Sequence, residues 1–309
     1  MTKKNEPIQD RRFILWCSKI SLQEIQDCIL RHNANINAMD ESGRTPLNVA
    51  AGFNPDPQVV EILLDAGADI NETNNEGHTP LMFATAFNNN SMVIETLVEN
   101  GADVNARDKS GKTVLMVAII KLMCRILEKY TYYSYNDPPC TSYAFYYYAH
   151  KDATMSFQKL IDCGADVNAR DPEGRTALMH VVSSYVFSHD YKYVDVDDYC
   201  ERPHRYIDMY DYHEHRYNNS FITYIANLLI KNGADINAQD INGMTALMYA
   251  ICNKFYTTAL VMLGHRADPG IRDNNGKNAL DYIKEQETLF DPVDIRSTLL
   301  EDILTRLTK

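Results

Sequence analysis

The sequence has no excess of positive charge, a single tryptophan, no long apolar run and no pair of cysteines at metal-binding spacing. Each absence removes a class of function. With 30 Lys and Arg against 42 Asp and Glu, the formal charge is −12, the wrong sign for neutralising the phosphates of a nucleic acid or an anionic membrane. The longest apolar run, Val114 to Ile120, ends at Lys121, far short of the roughly 20 residues a spanning helix needs. The polar stretch Met1 to Asp10 and the short apolar segment Phe13 to Cys17 do not make a secretory leader. Seven cysteines (Cys17, Cys28, Cys124, Cys140, Cys163, Cys200, Cys252) are odd in number and scattered, so a reducing compartment is expected rather than a disulfide framework. The motifs of phosphate loops, dinucleotide folds, nucleophile elbows and zinc peptidases are also missing. These absences lead us to expect a soluble, cytoplasmic chain with no cofactor and no catalytic role.

What is present is repetition. One phrase recurs as Gly43-Arg-Thr-Pro-Leu47, Gly77-His-Thr-Pro-Leu81, Gly111-Lys-Thr-Val-Leu115, Gly174-Arg-Thr-Ala-Leu178, Gly243-Met-Thr-Ala-Leu247 and Gly276-Lys-Asn-Ala-Leu280. Its glycines are spaced 34, 34, 63, 69 and 33 residues apart. A second phrase precedes each: Asn33-Ala-Asn-Ile-Asn37, Gly67-Ala-Asp-Ile-Asn71, Gly101-Ala-Asp-Val-Asn105, Gly164-Ala-Asp-Val-Asn168, Gly233-Ala-Asp-Ile-Asn237 and the degraded Arg266-Ala-Asp-Pro-Gly270. Local chemistry gives the unit. Thr45 caps a helix with Pro46 in its first turn, where a missing N–H costs nothing. A second helix over Val59 to Leu64 stops at Gly67, and Asp40 to Gly43 makes the turn of a hairpin that leads to the next pair. A single pair cannot bury its apolar faces, so neighbouring pairs must stack.

The chain resembles the ankyrin-repeat family over nearly its whole length, from about Arg12 to about Leu307, and its Thr-x-Leu-Met repeats look more like those of bacterial members than animal ones. The expected fold is all-α: an ankyrin-repeat solenoid of about seven helix-turn-helix units with hairpin loops. We expect one domain over 1–309, with an N-terminal cap at 12–38, repeats over 39–270 and a C-terminal cap at 271–309. The position after the repeated Leu, usually His in the family, is Asn48, Met82, Met116, Met179, Met248 and Asp281. The methionines can fill that space apolarly.

The spacings of 63 and 69 leave 30 and 36 extra residues with neither phrase inside them, so they are insertions, expected at about 122–152 and 185–218. Both enter the turn between the two helices of a repeat, in consecutive repeats, and should emerge side by side. Of 20 tyrosines, eight lie between Tyr130 and Tyr148 and eight between Tyr185 and Tyr217. Such rings close packing between loops, or supply rigid contact area for a partner at low entropic cost.

The resemblance implies that a protein partner binds at the hairpin tips and on the concave side of the first helices. Mapped onto this sequence, the candidate contacts are Arg44, Phe53, His78, Phe87, Lys112, Arg175 and Met244, joined by Tyr146, Tyr147, Tyr148, Tyr191, Tyr193, Tyr210 and Tyr212 of the insertions. Phe53 and Phe87 are 34 residues apart, one repeat, and should stack as a hot spot. The acidic excess favours a basic partner, with no nucleic acid and no membrane, and a monomeric chain. A metal or small-molecule site between the insertions is an alternative, built on His189, His213 and His215. An inhibitor or immunity-type role that neutralises a basic protein is another, and delivery into a host cell stays open. The Asp of each Gly-Ala-Asp phrase, recurring in every unit, reads as structural.

Overall fold

The computed structural model describes residues 10–32, 34–88, 90–133, 155–183 and 214–287, with 303, 305 and 306. Its helices are α1 (Asp10–Trp16), α2 (Leu22–His32), α3 (Pro46–Phe53), α4 (Pro57–Asp65), α5 (Pro80–Phe87), α6 (Ser91–Glu99), α7 (Val114–Tyr133), α8 (155–162), α9 (Ala177–Ser183), α10 (Glu214–Lys231), α11 (Ala246–Cys252), α12 (Tyr256–Gly264) and α13 (Ala279–Glu287). Each repeated Thr starts the first helix of its pair. The Thr45, Thr79, Thr113, Thr176 and Thr245 hydroxyls accept the backbone N–H three residues on, at 3.2 to 3.4 Å, satisfying one of the free donors at a helix start. In α3 and α5 Pro occupies the first turn, and Asn48 completes a reciprocal cap with Thr45. The expected methionines Met82, Met116, Met179 and Met248 are all buried beside the repeated leucines.

The described backbone falls into two compact units: Met1–Arg125 with Tyr133–Asp166, and Ile126–Tyr132 with Val167–Lys309. In the first unit α1, α3 and α5 pack in succession, as do α2, α4 and α6 behind them. Asparagine ladders tie the repeats together. Asn88 Nδ2 donates to the carbonyls of Ala51 and Asn54 at 2.8 and 2.7 Å, and Asn54 Nδ2 donates to those of Cys17 and Ile20 at 3.1 and 2.9 Å. These are carbonyls of the preceding first helix and its end, where no further turn of helix can satisfy them. A second ladder runs along the hairpin side: the N–H groups of Asp69, Asp103 and Asp166 donate to Asn37, Asn71 and Asn105 Oδ1. Asp69 and Asp103 in turn accept the N–H two residues on, at 2.9 Å. The repeated Gly-Ala-Asp carboxylates therefore act as turn ligands. Hairpin also meets hairpin, with Asn75 N–H on Ser42 O and Lys109 N–H on Glu76 O, both at 2.9 Å.

The second unit repeats these devices. Asp235 and Asp268 N–H donate to Asn168 and Asn237 Oδ1, Asn253 Nδ2 donates to Val182 O, and Ile241 and Asn274 N–H donate to Glu173 and Asn242 O. The described residues contain no named strand. The hairpins reduce to turns with isolated bridges at Arg107–Thr113 and Gln239–Thr245.

The ends of the expected insertions, at about 122–152 and 185–218, extend the helices beside them: α7 runs on to Tyr133 and α10 begins at Glu214. Residues 122–133 and 214–220 contain neither Pro nor Gly, and residues 122–129 are nearly all strong helix formers, so each repeat helix continues into the extra residues. The remainder, 134–154 and 184–213, lies outside the described residues, as does most of the C-terminal cap beyond Glu287. In the N-terminal cap Arg11, Arg12, Lys19 and Gln23 are exposed, and so are Leu15 at 50%, Trp16 at 44% and Leu30 at 81%. The Arg12 guanidinium lies 4.7 Å from the Trp16 ring centroid and covers part of that surface.

Candidate functional site

Of the sequence-derived contact residues, Phe53 and Phe87 are brought together in the way their one-repeat spacing predicts. The rings end α3 and α5 and stack at 5.3 Å between centroids with 24° between planes. Phe53 is 42% exposed and Phe87 half-buried. Beneath them Phe83 is buried, 5.9 Å from Phe87, and rests against the backbone of Gly52, where an added Cβ would meet it at 3.4 Å. The pair is therefore partly anchored and partly presented. Lys121 Nζ, on α7, stands 5.9 Å from the Phe87 centroid.

The asparagine ladder adds a fourth member that the sequence reading missed. Asn54 holds Cys17 O and Ile20 O as Asn88 holds Ala51 O and Asn54 O, so the exposed Lys19 occupies the register of Phe53. The row of equivalent positions in the first unit is Lys19, Phe53, Phe87, Lys121. The cap lacks the Gly-x-Thr phrase, so nothing in the sequence alone aligned Lys19 with the row.

The hairpin candidates are engaged with their own loops. Arg44 Nε donates to Asp40 Oδ2 at 2.7 Å. His78 lies 3.3 Å from Glu76 and 3.7 Å from Asp108, with its ring edge-on to Phe83. Lys112 Nζ donates to Ser110 Oγ, Arg175 lies within 4.0 Å of Asp171 and Glu173, and the Tyr282 hydroxyl oxygen lies 3.3 Å from Met244 Sδ. These side chains fix hairpins. A related signal was legible but unread: in three units the hairpin Asp is followed nine residues on by a side chain that reaches back to it. His180 Nε2 donates to Asp171 at 2.8 Å, Tyr249 to Asp240 at 2.7 Å and Tyr282 to Asp273 at 2.6 Å.

These pairs shape the titration of the chain. Burial alone would raise the Asp171 carboxyl, but hydrogen bonds from His180 and Arg175 N–H outweigh it and hold the group below its ordinary value. Asp108 is held low in the same way, by His78, Ser110 and Lys112 N–H against its burial. Burial and then the Asp240 carboxylate push the Tyr249 phenol up. A depression of about 430 Å³ lies between α10 and α12 and is lined by Thr223, Tyr224, Asn227, Val261, Gly264 and His265. Its one titratable base, His265, bonds Asn227 Oδ1 at 3.1 Å and has no carboxylate beside it in the lining. Among the described residues no group of three His, Cys, Asp or Glu is placed to hold a metal, and no helix is long and apolar enough to cross a membrane.

Tyr146, Tyr147, Tyr148, Tyr191, Tyr193, Tyr210, Tyr212, His189 and His213 lie outside the described residues, and of His215 only its backbone place in the first turn of α10 is given. Comparison with known families matches residues 48–137 to ankyrin repeats in three copies and residues 229–283 to ankyrin repeats in many copies. Among solved structures, the ankyrin repeat domain of Bcl-3, a member of the IkappaB protein family, shares the fold. It has 19% identity and a TM-score of 0.61, with 97% of this chain and 99% of that one covered. No curated protein matches the chain by sequence.

Proposed function

Because this chain is an ankyrin-repeat protein, we propose that it is a non-catalytic module that binds another protein, and that it does so through the face carrying Phe53 and Phe87. The observation that carries the reading is the stacked ring pair, 42% exposed at Phe53 and backed by buried Phe83. Large rings already held in one conformation lose little entropy on binding and add apolar contact, which is how a few anchors come to dominate an interface. The hairpin side chains serve a different end, since Arg44, His78, Arg175 and Met244 are tied to neighbouring groups and stiffen the scaffold that presents the rings.

The test begins with capture of a stoichiometric partner from the native lysate and its purification. Its affinity is then measured for the intact chain, for Phe53→Ser with Phe87→Ser, and for a chain with residues 134–152 and 186–213 replaced by short turns. Loss of at least about 30-fold with the double substitution and retention without the insertions is expected, matching hot-spot losses of about 2 kcal/mol or more. The reverse pattern moves the site to the tyrosine-rich insertions and overturns the assignment to Phe53 and Phe87.

A further inference from the structure

We propose that the row Lys19, Phe53, Phe87, Lys121 receives a linear acidic segment of the partner, with apolar or aromatic residues at its centre and carboxylates towards both ends. The inference rests on the reading that the Phe53 face binds protein and adds the chemistry of what it binds. Four successive repeats contribute one residue each at the same register, and the order is cation, ring, ring, cation. The two ring faces exclude water from an apolar side chain laid across them. Lys19 is exposed at one end, and Lys121 stands over the outer ring at the other.

Two described carboxylates that follow row residues in sequence have hydrogen-bond partners of their own. Asp56, in the turn after Phe53, accepts Gln58 N–H at the start of α4. Glu24 accepts both the N–H and the hydroxyl of Ser21 at the start of α2. Each sits where the positive end of a helix offsets its charge. In the turn after Phe87, the described residues Asn88 and Asn90 are neutral. The net charge of −12 pointed towards a basic partner, but charges more than about 8 Å away are screened at physiological salt, so the local pair of ammonium groups sets the preference of this row. With first helices about 8 to 10 Å apart, three steps span about 24 to 30 Å. An extended strand at about 3.3 Å per residue covers that distance in about eight residues.

A displayed library of random peptides about 12 residues long, enough to cover the row in extended form, is selected on the full chain and counter-selected on Phe53→Ser with Phe87→Ser. The expected winners carry an apolar or aromatic centre flanked by Asp and Glu. A synthetic winner should bind the Lys19→Glu, Lys121→Glu chain at least about 10-fold more weakly than the intact chain, with a smaller loss for Lys19→Gln, Lys121→Gln. Circular dichroism is expected to be unchanged, since neither lysine is buried. Winners that depend on Phe53 but are neutral or basic overturn the acidic assignment and leave the binding face standing. Selection of nothing that depends on Phe53 overturns both.

Discussion

Two glycines with the same backbone conformation make a controlled experiment on what holds neighbouring repeats together. Gly67 and Gly77 both have positive φ, 92° and 83°. Alanine at either pays the left-handed penalty of about 1 to 2 kcal/mol, partly offset by about 0.4 to 1 kcal/mol from a less flexible unfolded chain. At Gly67 an added Cβ meets nothing within 4 Å. At Gly77 it would lie 2.6 Å from the backbone N of Lys109, the group that donates to Glu76 O across the hairpin junction. Ordinary van der Waals contact for a Cβ begins near 3.4 Å, so the two hairpins must separate by most of an ångström. That movement breaks a hydrogen bond worth about 1 kcal/mol and strains packed backbone by a further 1 to 3 kcal/mol. Gly67→Ala should therefore cost about 1 kcal/mol and Gly77→Ala about 3 to 5 kcal/mol. Urea unfolding followed by circular dichroism reads both as midpoint shifts. Equal shifts would refute the claim that hairpin contact, beyond backbone conformation, locks the repeats.

Other consequences follow from single groups. Asn88→Ala leaves the carbonyls of Ala51 and Asn54 without their donor and should lower stability by about 2 to 4 kcal/mol, read in the same urea assay. A loss below about 0.5 kcal/mol would mean the ladder contributes little. Asp171 has a folded value below its ordinary 3.8, so its stabilisation is complete above that pH and is lost as the pH falls through the lower value. Asp171→Asn should thus lower stability at pH 6 and shrink the difference between pH 6 and pH 3. An unchanged pH dependence would contradict the assignment. The Cys17 thiol is pushed up to about 12, first by burial and then by Cys28, so iodoacetamide at pH 8 should leave it unmodified in the native chain while the half-buried Cys163 reacts. Mass spectrometry of the peptides checks this, and alkylation of Cys17 at the rate of Cys163 would refute it.

The repeated phrases made the architecture readable because each residue has one local task. Thr caps, Gly turns with positive φ, Leu fills the layer between helices, and each task recurs at the same offset. The stacking of Phe53 on Phe87 was legible for the same reason, as equal register brings side chains together. What escaped was whatever depends on the partner a side chain finds in the folded chain. Arg44 and Arg175 look available in a hairpin tip, yet each has a carboxylate four residues earlier. Lys19 belongs to the aromatic row through hydrogen bonds of Asn54, in a cap without the repeated phrase to align it. The helical start of the first insertion went unread because continuity of a helix is set by propensity rather than by the repeat, and Leu122 to Tyr133 offers nothing to stop one.

The central claim is that the Phe53 face is where the partner sits. The direct measurement places a photoreactive phenylalanine analogue at position 53 and, in a second chain, at position 30, where Leu30 is 81% exposed on α2. Each chain is irradiated in complex with its purified partner. The account predicts a covalent adduct through position 53 and none through position 30. An adduct through position 30, or none through position 53 while the complex is intact, would contradict it.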